Sequence, residues 1–136
     1  MPEALVSLEL ILRGVAIGAL IAIAIGIWRV ALSKPVGIAT VMLCIAVIAH
    51  VLESSTVFRA QIGALYPLVN LFSLGVTGLL WLFVITLFED RPVGLRTLAP
   101  VAGLIALGLA AYATANQSIW VVQKLCEAGL ALHALT

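Results

Sequence analysis

Ala60 to Phe88 contains no charged residue, and neither does Thr97 to Gln123. Pro35 to Leu52 is a third such run, and Gly14 to Trp28 a shorter fourth. A bilayer's hydrocarbon core takes about 20 consecutive apolar residues of helix to cross. A helix of a soluble core keeps one polar face for water, and these runs have none. The expected fold is therefore all-α: a polytopic membrane protein, a bundle of about five transmembrane helices with short loops. Hydrophobic residues make up 64% of the 136-residue chain and charged ones 10%. Ordinary soluble domains carry about 25% charge, so little of this surface is meant for water. One transmembrane domain over 1–136 accounts for the whole length.

The expected spans are 8–28, 36–52, 68–88, 98–114 and 119–136, separated by the chain's polar breaks. Trp28-Arg29 closes the first, as aromatic and basic residues do at an interface. Pro35 opens the second, since proline suits the first turn of a helix. Glu53-Ser54-Ser55 begins a longer connection to Tyr66-Pro67, expected as a loop. Glu89-Asp90-Arg91-Pro92-Val93-Gly94 combines charge, Pro and Gly and marks the clearest loop. Ala115-Asn116-Gln117-Ser118 is a polar turn before the last span.

Orientation follows the basic residues, which concentrate in cytoplasmic loops. Arg29 and Lys34 lie in the first connection and Arg91 and Arg96 in the third, against Arg59 alone in the second. The N-terminus is expected outside and the end of span five in the cytoplasm, in the cell's inner (plasma) membrane. Met1-Pro2-Glu3-Ala4 lacks the basic stretch that starts a signal peptide, so the first apolar segment is expected to remain as a span. The closing residues Glu127 to Thr136 carry no helix-ending signal, which suggests a longer gene product.

Gly14, Gly18, Ala22 and Gly26 recur at every fourth position of span one. Small side chains in one row let a partner backbone approach closely. The ridge is expected as a packing seam, with a helix of the same chain favoured over a second copy. Ala102, Ala106 and Ala110 form a weaker version in span four. Glu9 and Arg13, four apart, share a helix face as an ion pair. They fit either an anchor at the headgroups or the lip of an outward-facing polar cavity.

Charges at membrane depth cost on the order of 2.5–3.5 kcal/mol each at the centre. Lys124 and Glu127, three apart in span five with Gln123 beside them and His133 two turns further in, must therefore face protein or water. They are the leading candidates for a ligand or sensor site, with Glu9 and Arg13 as the second pair. A buried ion pair that only sets helix register is the competing explanation. The topology puts His50 near the outer face and His133 near the inner, which argues against a bis-histidine haem. Cys44 and Cys126 lie in apolar runs and read as small hydrophobes. No phosphate loop, metal spacing or nucleophile elbow occurs, so no cofactor and no enzymatic activity are expected. A net charge of +1 without a basic stripe argues against nucleic acid bound by this chain.

Leu79-Leu80-Trp81-Leu82-Phe83-Val84-Ile85-Thr86-Leu87-Phe88-Glu89-Asp90-Arg91, then Leu95-Arg96, resembles the membrane region of AraC-type regulators with a multi-span N-terminal half. Leu12-Arg13-Gly14 is similar to their opening Leu-Arg-Gly. The resemblance covers Leu12 to Leu135 and rests on one Phe-acid-acid-Arg turn. It implies a sensor domain whose cytoplasmic helix-turn-helix output domain lies outside this sequence. The expected function is thus a non-catalytic membrane sensor. A small oligomeric transporter or channel subunit, with Glu9, Arg13, Lys124 and Glu127 lining a pathway, is the alternative. Expected partners are the lipid bilayer, a second copy of the chain and a cytoplasmic output domain.

Overall fold

The computed structural model describes residues 3–135. It is helical throughout: α1 (Glu3–Ala31), α2 (Pro35–Glu53), α3 (Thr56–Ile62), α4 (Tyr66–Leu74), α5 (Val76–Phe88), α6 (Leu95–Thr114) and α7 (Gln117–Leu135). One 3-10 turn, Gly63–Leu65, joins α3 to α4. Four stretches are long and apolar enough to cross a membrane: α1, α2, Thr56–Leu74 and α6, with α5 a shorter apolar helix. An apolar membrane-type bundle follows directly from the uncharged runs.

Two departures from the expected spans have local causes. The second connection is helical rather than a loop, because Ser55 caps it: its side chain accepts from the Phe58 N–H at 3.5 Å. Span three is two helices in line, α4 and α5, with a hitch at Gly75. There the N–H of Gly75 bonds back three residues to Phe72, at 3.2 Å, and the regular ladder resumes with Leu79 to Gly75 at 2.9 Å.

α2 sits at the centre, packed by α1 on one side and by α4 and α5 on the other. Ala39 and Ala46 from α2, Leu79, Trp81, Leu82 and Ile85 from α5, and Val101 from α6 form the buried core. Small residues on α2 let the larger α5 side chains fill the space between. α6 runs antiparallel to α4–α5: Gly78 lies against Val101, Gly75 against Ile105, and Leu74 against Gly108. α7 closes the bundle against α6 and α5.

α1 overturns one expectation. No α1 residue is buried, and the helix packs on α2 alone to any extent. Val6, Leu10, Arg13, Ile17 and Leu20 turn toward α2 at a spacing of three and four, and all are half-buried. Gly14, Gly18, Ala22 and Gly26 are exposed, and a Cβ added to any of the three glycines would meet nothing within 4 Å. The small-residue ridge is not a seam within the chain. Larger side chains along a neighbouring row make the α2 contact instead. Ala102, Ala106 and Ala110 are likewise exposed, and α6 packs through Val101, Leu104, Gly108 and Ala111.

Candidate functional site

The end of α2 that carries Glu53 gathers most of the first polar cluster. A helix leaves its last carbonyls without intrahelical partners, and in an apolar bundle each needs a donor. Arg13 supplies one from α1: its Nη1 donates to the Val51 carbonyl at 2.7 Å and to Ser54 Oγ at 2.6 Å. The same guanidinium pairs with Glu9 at 2.9 Å. Arg59, from α3, donates to the Glu53 carbonyl at 2.9 and 3.2 Å and lies 5.9 Å over the Tyr66 ring. Tyr66 donates to the Glu53 carboxylate at 3.4 Å, and His50 Nδ1 lies 3.0 Å from Ser73 Oγ. Glu9 and Arg13 therefore form the expected ion pair, and the pair fastens α1 to the end of α2. Through Ser73, His50 ties α2 to α4.

The second cluster is inset in α7. Gln123 is fully buried (0% exposed) and is the only buried residue among those described on that helix. Its amide fits because residue 108 is glycine: a Cβ there would come within 2.7 Å of the Leu74 side chain and 3.1 Å of Gln123 Nε2. Gln123 Nε2 donates to Glu127 Oε1 at 3.1 Å, and Lys124 Nζ bonds Glu127 Oε2 at 2.8 Å. Glu127 thus takes one donor on each oxygen. Gln123 Oε1 has no partner at all. A buried acceptor left without a donor costs about 1–3 kcal/mol, and α7 carries that cost near its middle. Lys124 is 67% exposed on its side chain and Glu127 16%. Glu127 lies about 15 Å along α7 from Gln117, half-way down the helix.

His133 belongs elsewhere. Trp81 Nε1 donates to His133 Nδ1 at 3.3 Å, with the two rings edge to face at 6.0 Å. A neutral ring that accepts at Nδ1 holds its proton on Nε2. Beside it a cavity of about 530 Å³ opens between α5 and α7, lined by Val84, Phe88, Glu89 and His133.

The sequence candidates therefore fall in three separate places: Glu9 with Arg13 on α1–α2, Lys124 with Glu127 on α7, and His133 against α5. Gln123, noted in the sequence only as a neighbour of the pair, is the residue that carries the inset. Its signal was its position, since an uncharged amide inside a span has to find a partner. Among the described residues, no three His, Cys, Asp or Glu side chains come together to hold a metal. Cys44 and Cys126 are both free thiols.

Fold and site together define a class: an apolar helical bundle of membrane type with a polar inset in its closing helix. No protein-family model matches the chain, and neither does any curated protein or solved structure.

Proposed function

We propose that this chain is a non-catalytic membrane sensor or signalling domain. It crosses the bilayer of an inner (plasma) membrane five times, through α1, α2, the α4–α5 rod, α6 and α7, with its N-terminus outside. The single observation that carries the reading is the α7 inset. α7 buries one side chain, and that one is a polar amide with an unsatisfied oxygen. The helix's apolar contacts with the core run through half-buried side chains, Leu130 and Ala134 among them, a looser seat than the close packing that locks one arrangement. A stimulus with differential affinity for two packings of α7 would shift their populations. The turn Phe88-Glu89-Asp90-Arg91, on which the AraC-type resemblance rests, supports an output partner at the cytoplasmic face, such as a helix-turn-helix regulator. The transporter alternative gains nothing from the geometry, because Glu9–Arg13 and Lys124–Glu127 sit on helices that do not pack together.

The inset reading is tested with spin labels on exposed Cys126 and on Ala106→Cys, in proteoliposomes and in a Cys44→Ala background. Glu127→Gln removes the charge at nearly constant shape and should change the α6–α7 distance distribution. An unchanged distribution would remove the inset as the element that sets α7 packing. Cation flux through the wild-type protein would replace the sensor with a transporter.

Five crossings also set the sidedness of the loops. Gln61→Cys on α3 and Gly94→Cys before α6 are both exposed positions, separated by the α4–α5 rod. In a variant lacking Cys44 and Cys126, an impermeant thiol reagent should label them from opposite sides of the membrane. Labelling of both from one side would overturn the five-crossing path.

A further inference from the structure

A groove of about 400 Å³ runs between α1 and α2, lined by Ala24, Ile25, Trp28, Arg29, Val41 and Ile45. Ala24 and Val41 are short where Ile25, Trp28 and Ile45 are long, so a gap is left between the two helices. Its depth in a bilayer follows from α2. At 19 residues, α2 is about 28 Å long, close to a hydrocarbon core of about 30 Å. Pro35 therefore marks one edge of that core, and Ile45 lies about 15 Å in, at its middle. Arg29, in the last turn of α1, stands at the edge. The groove thus has the length of one leaflet's acyl chain and opens at the headgroups.

That end of the bundle also collects the chain's unengaged cations. Arg13, Arg59, Arg91 and Lys124 are each bonded within the chain. Among the described residues, Arg29, Lys34 and Arg96 make no ion pair or side-chain hydrogen bond, and all three are exposed. Arg29 and Lys34 flank the α1–α2 turn. Arg96 opens α6 at the same end, since Ile85, late in α5, packs in the core with Ala39, early in α2. No carboxylate lines the groove. An arginine in this position lays its stem along the apolar wall and carries its charged head out to the interface.

We propose that this groove holds one anionic phospholipid, an acyl chain against Val41 and Ile45 and the phosphate on Arg29, with Lys34 beside it. Basic pockets between membrane helices bind anionic headgroups by this pairing of charge. A zwitterionic lipid offers a phosphate but brings its own cation to the same place. A second copy of the chain in the same orientation would set Arg29 and Lys34 against their like, which is repulsive. Neither answers the charge at the mouth. Each basic side chain near a membrane surface favours an anionic lipid about fivefold, so the preference over the bulk bilayer is one of degree. The inference requires a bilayer around α1 and α2 and no movement of α7, so it and the sensor reading fail separately.

Tryptophan quenching by brominated lipid tests it, because Trp28 lines the groove. In phosphatidylcholine vesicles, phosphatidylglycerol with brominated chains should quench the wild-type protein at a several-fold lower mole fraction than brominated phosphatidylcholine does. Trp28→Phe should remove that difference. Arg29→Gln combined with Lys34→Gln should remove it too, while Arg96→Gln should leave it intact. These positions are all exposed, so the fold survives each change. Inorganic phosphate in excess should not displace the lipid, because it has no chain to place in the groove. Equal quenching by the two lipids in the wild type, or a difference that survives Trp28→Phe or the double change, would overturn the proposal. So would an equal loss with Arg96→Gln, which means diffuse attraction to a basic surface, or displacement by phosphate.

Discussion

Gly37→Ala should lower the stability of the solubilised protein by about 1–3 kcal/mol, the range for overpacking a filled site. Gly37 stands in the first turn of α2, where α1 has just ended. A Cβ there would run into the carbonyl of Ala31, and its contact is with backbone, which cannot rotate aside. That carbonyl already accepts the Lys34 N–H at 2.9 Å, and Gly37 N–H bonds the Lys34 carbonyl at 3.0 Å. Moving any one member opens the turn. The substitution also raises helix propensity by about 1 kcal/mol, so the steric term is larger than the net loss. Gly14→Ala is the matched control: it carries the same propensity gain, and its Cβ meets nothing within 4 Å. Thermal unfolding of the two variants side by side reads the difference directly. Equal stability would mean that the α1–α2 turn relaxes freely and does not hold the hairpin.

The contrast between those two glycines shows where sequence reasoning stops. Gly14 belongs to the one small-residue pattern that stands out by eye, yet no part of its own chain approaches it. Gly37, Gly78 and Gly108 form no pattern, yet α2 meets the end of α1, α5 meets α6, and the α7 amide enters the bundle at these positions. Periodicity reports which face of a helix is open to close approach. It does not report which helix arrives, because that depends on residues 6 to 34 positions away.

The apolar segments themselves were legible because length without charge is a direct statement about solvent. Spans expected at 36–52 and 98–114 appear as Pro35–Glu53 and Leu95–Thr114. Less was legible at the start of α1. The span was expected from about 8, and the helix itself runs unbroken from Glu3; the Glu9–Arg13 pair was expected from its spacing, but not that Arg13 reaches across to the end of α2. The seven residues of α3 gave no signal of their own, since a helix that short depends on its Ser55 cap and on tertiary support. At the candidate site the ion pair was legible from the i, i+3 spacing. The buried Gln123 was not, because nothing in the sequence says which flank of α7 turns inward.

That buried amide changes what removal of either charge should do. Glu127→Leu takes away the acceptor for both Lys124 Nζ and Gln123 Nε2. It leaves the Lys124 ammonium unpaired and a fully buried amide with neither end satisfied. Breaking a buried pair by removing one partner costs about 3–5 kcal/mol. Lys124 is two-thirds exposed on its side chain, so the cost falls at or below the lower end of that range. Lys124→Leu strands only Glu127, which keeps its bond from Gln123, and should cost less. The double change Lys124→Leu with Glu127→Leu removes both charges, so its cost should fall below that of Glu127→Leu alone. The amide's remaining penalty stays, and adding Gln123→Leu should recover part of it. Unfolding in detergent micelles across this set gives the coupling energy of the pair. If Glu127→Leu and Lys124→Leu each cost little and their effects add, both side chains are reaching water or headgroups, and α7 holds no inset for a stimulus to act on.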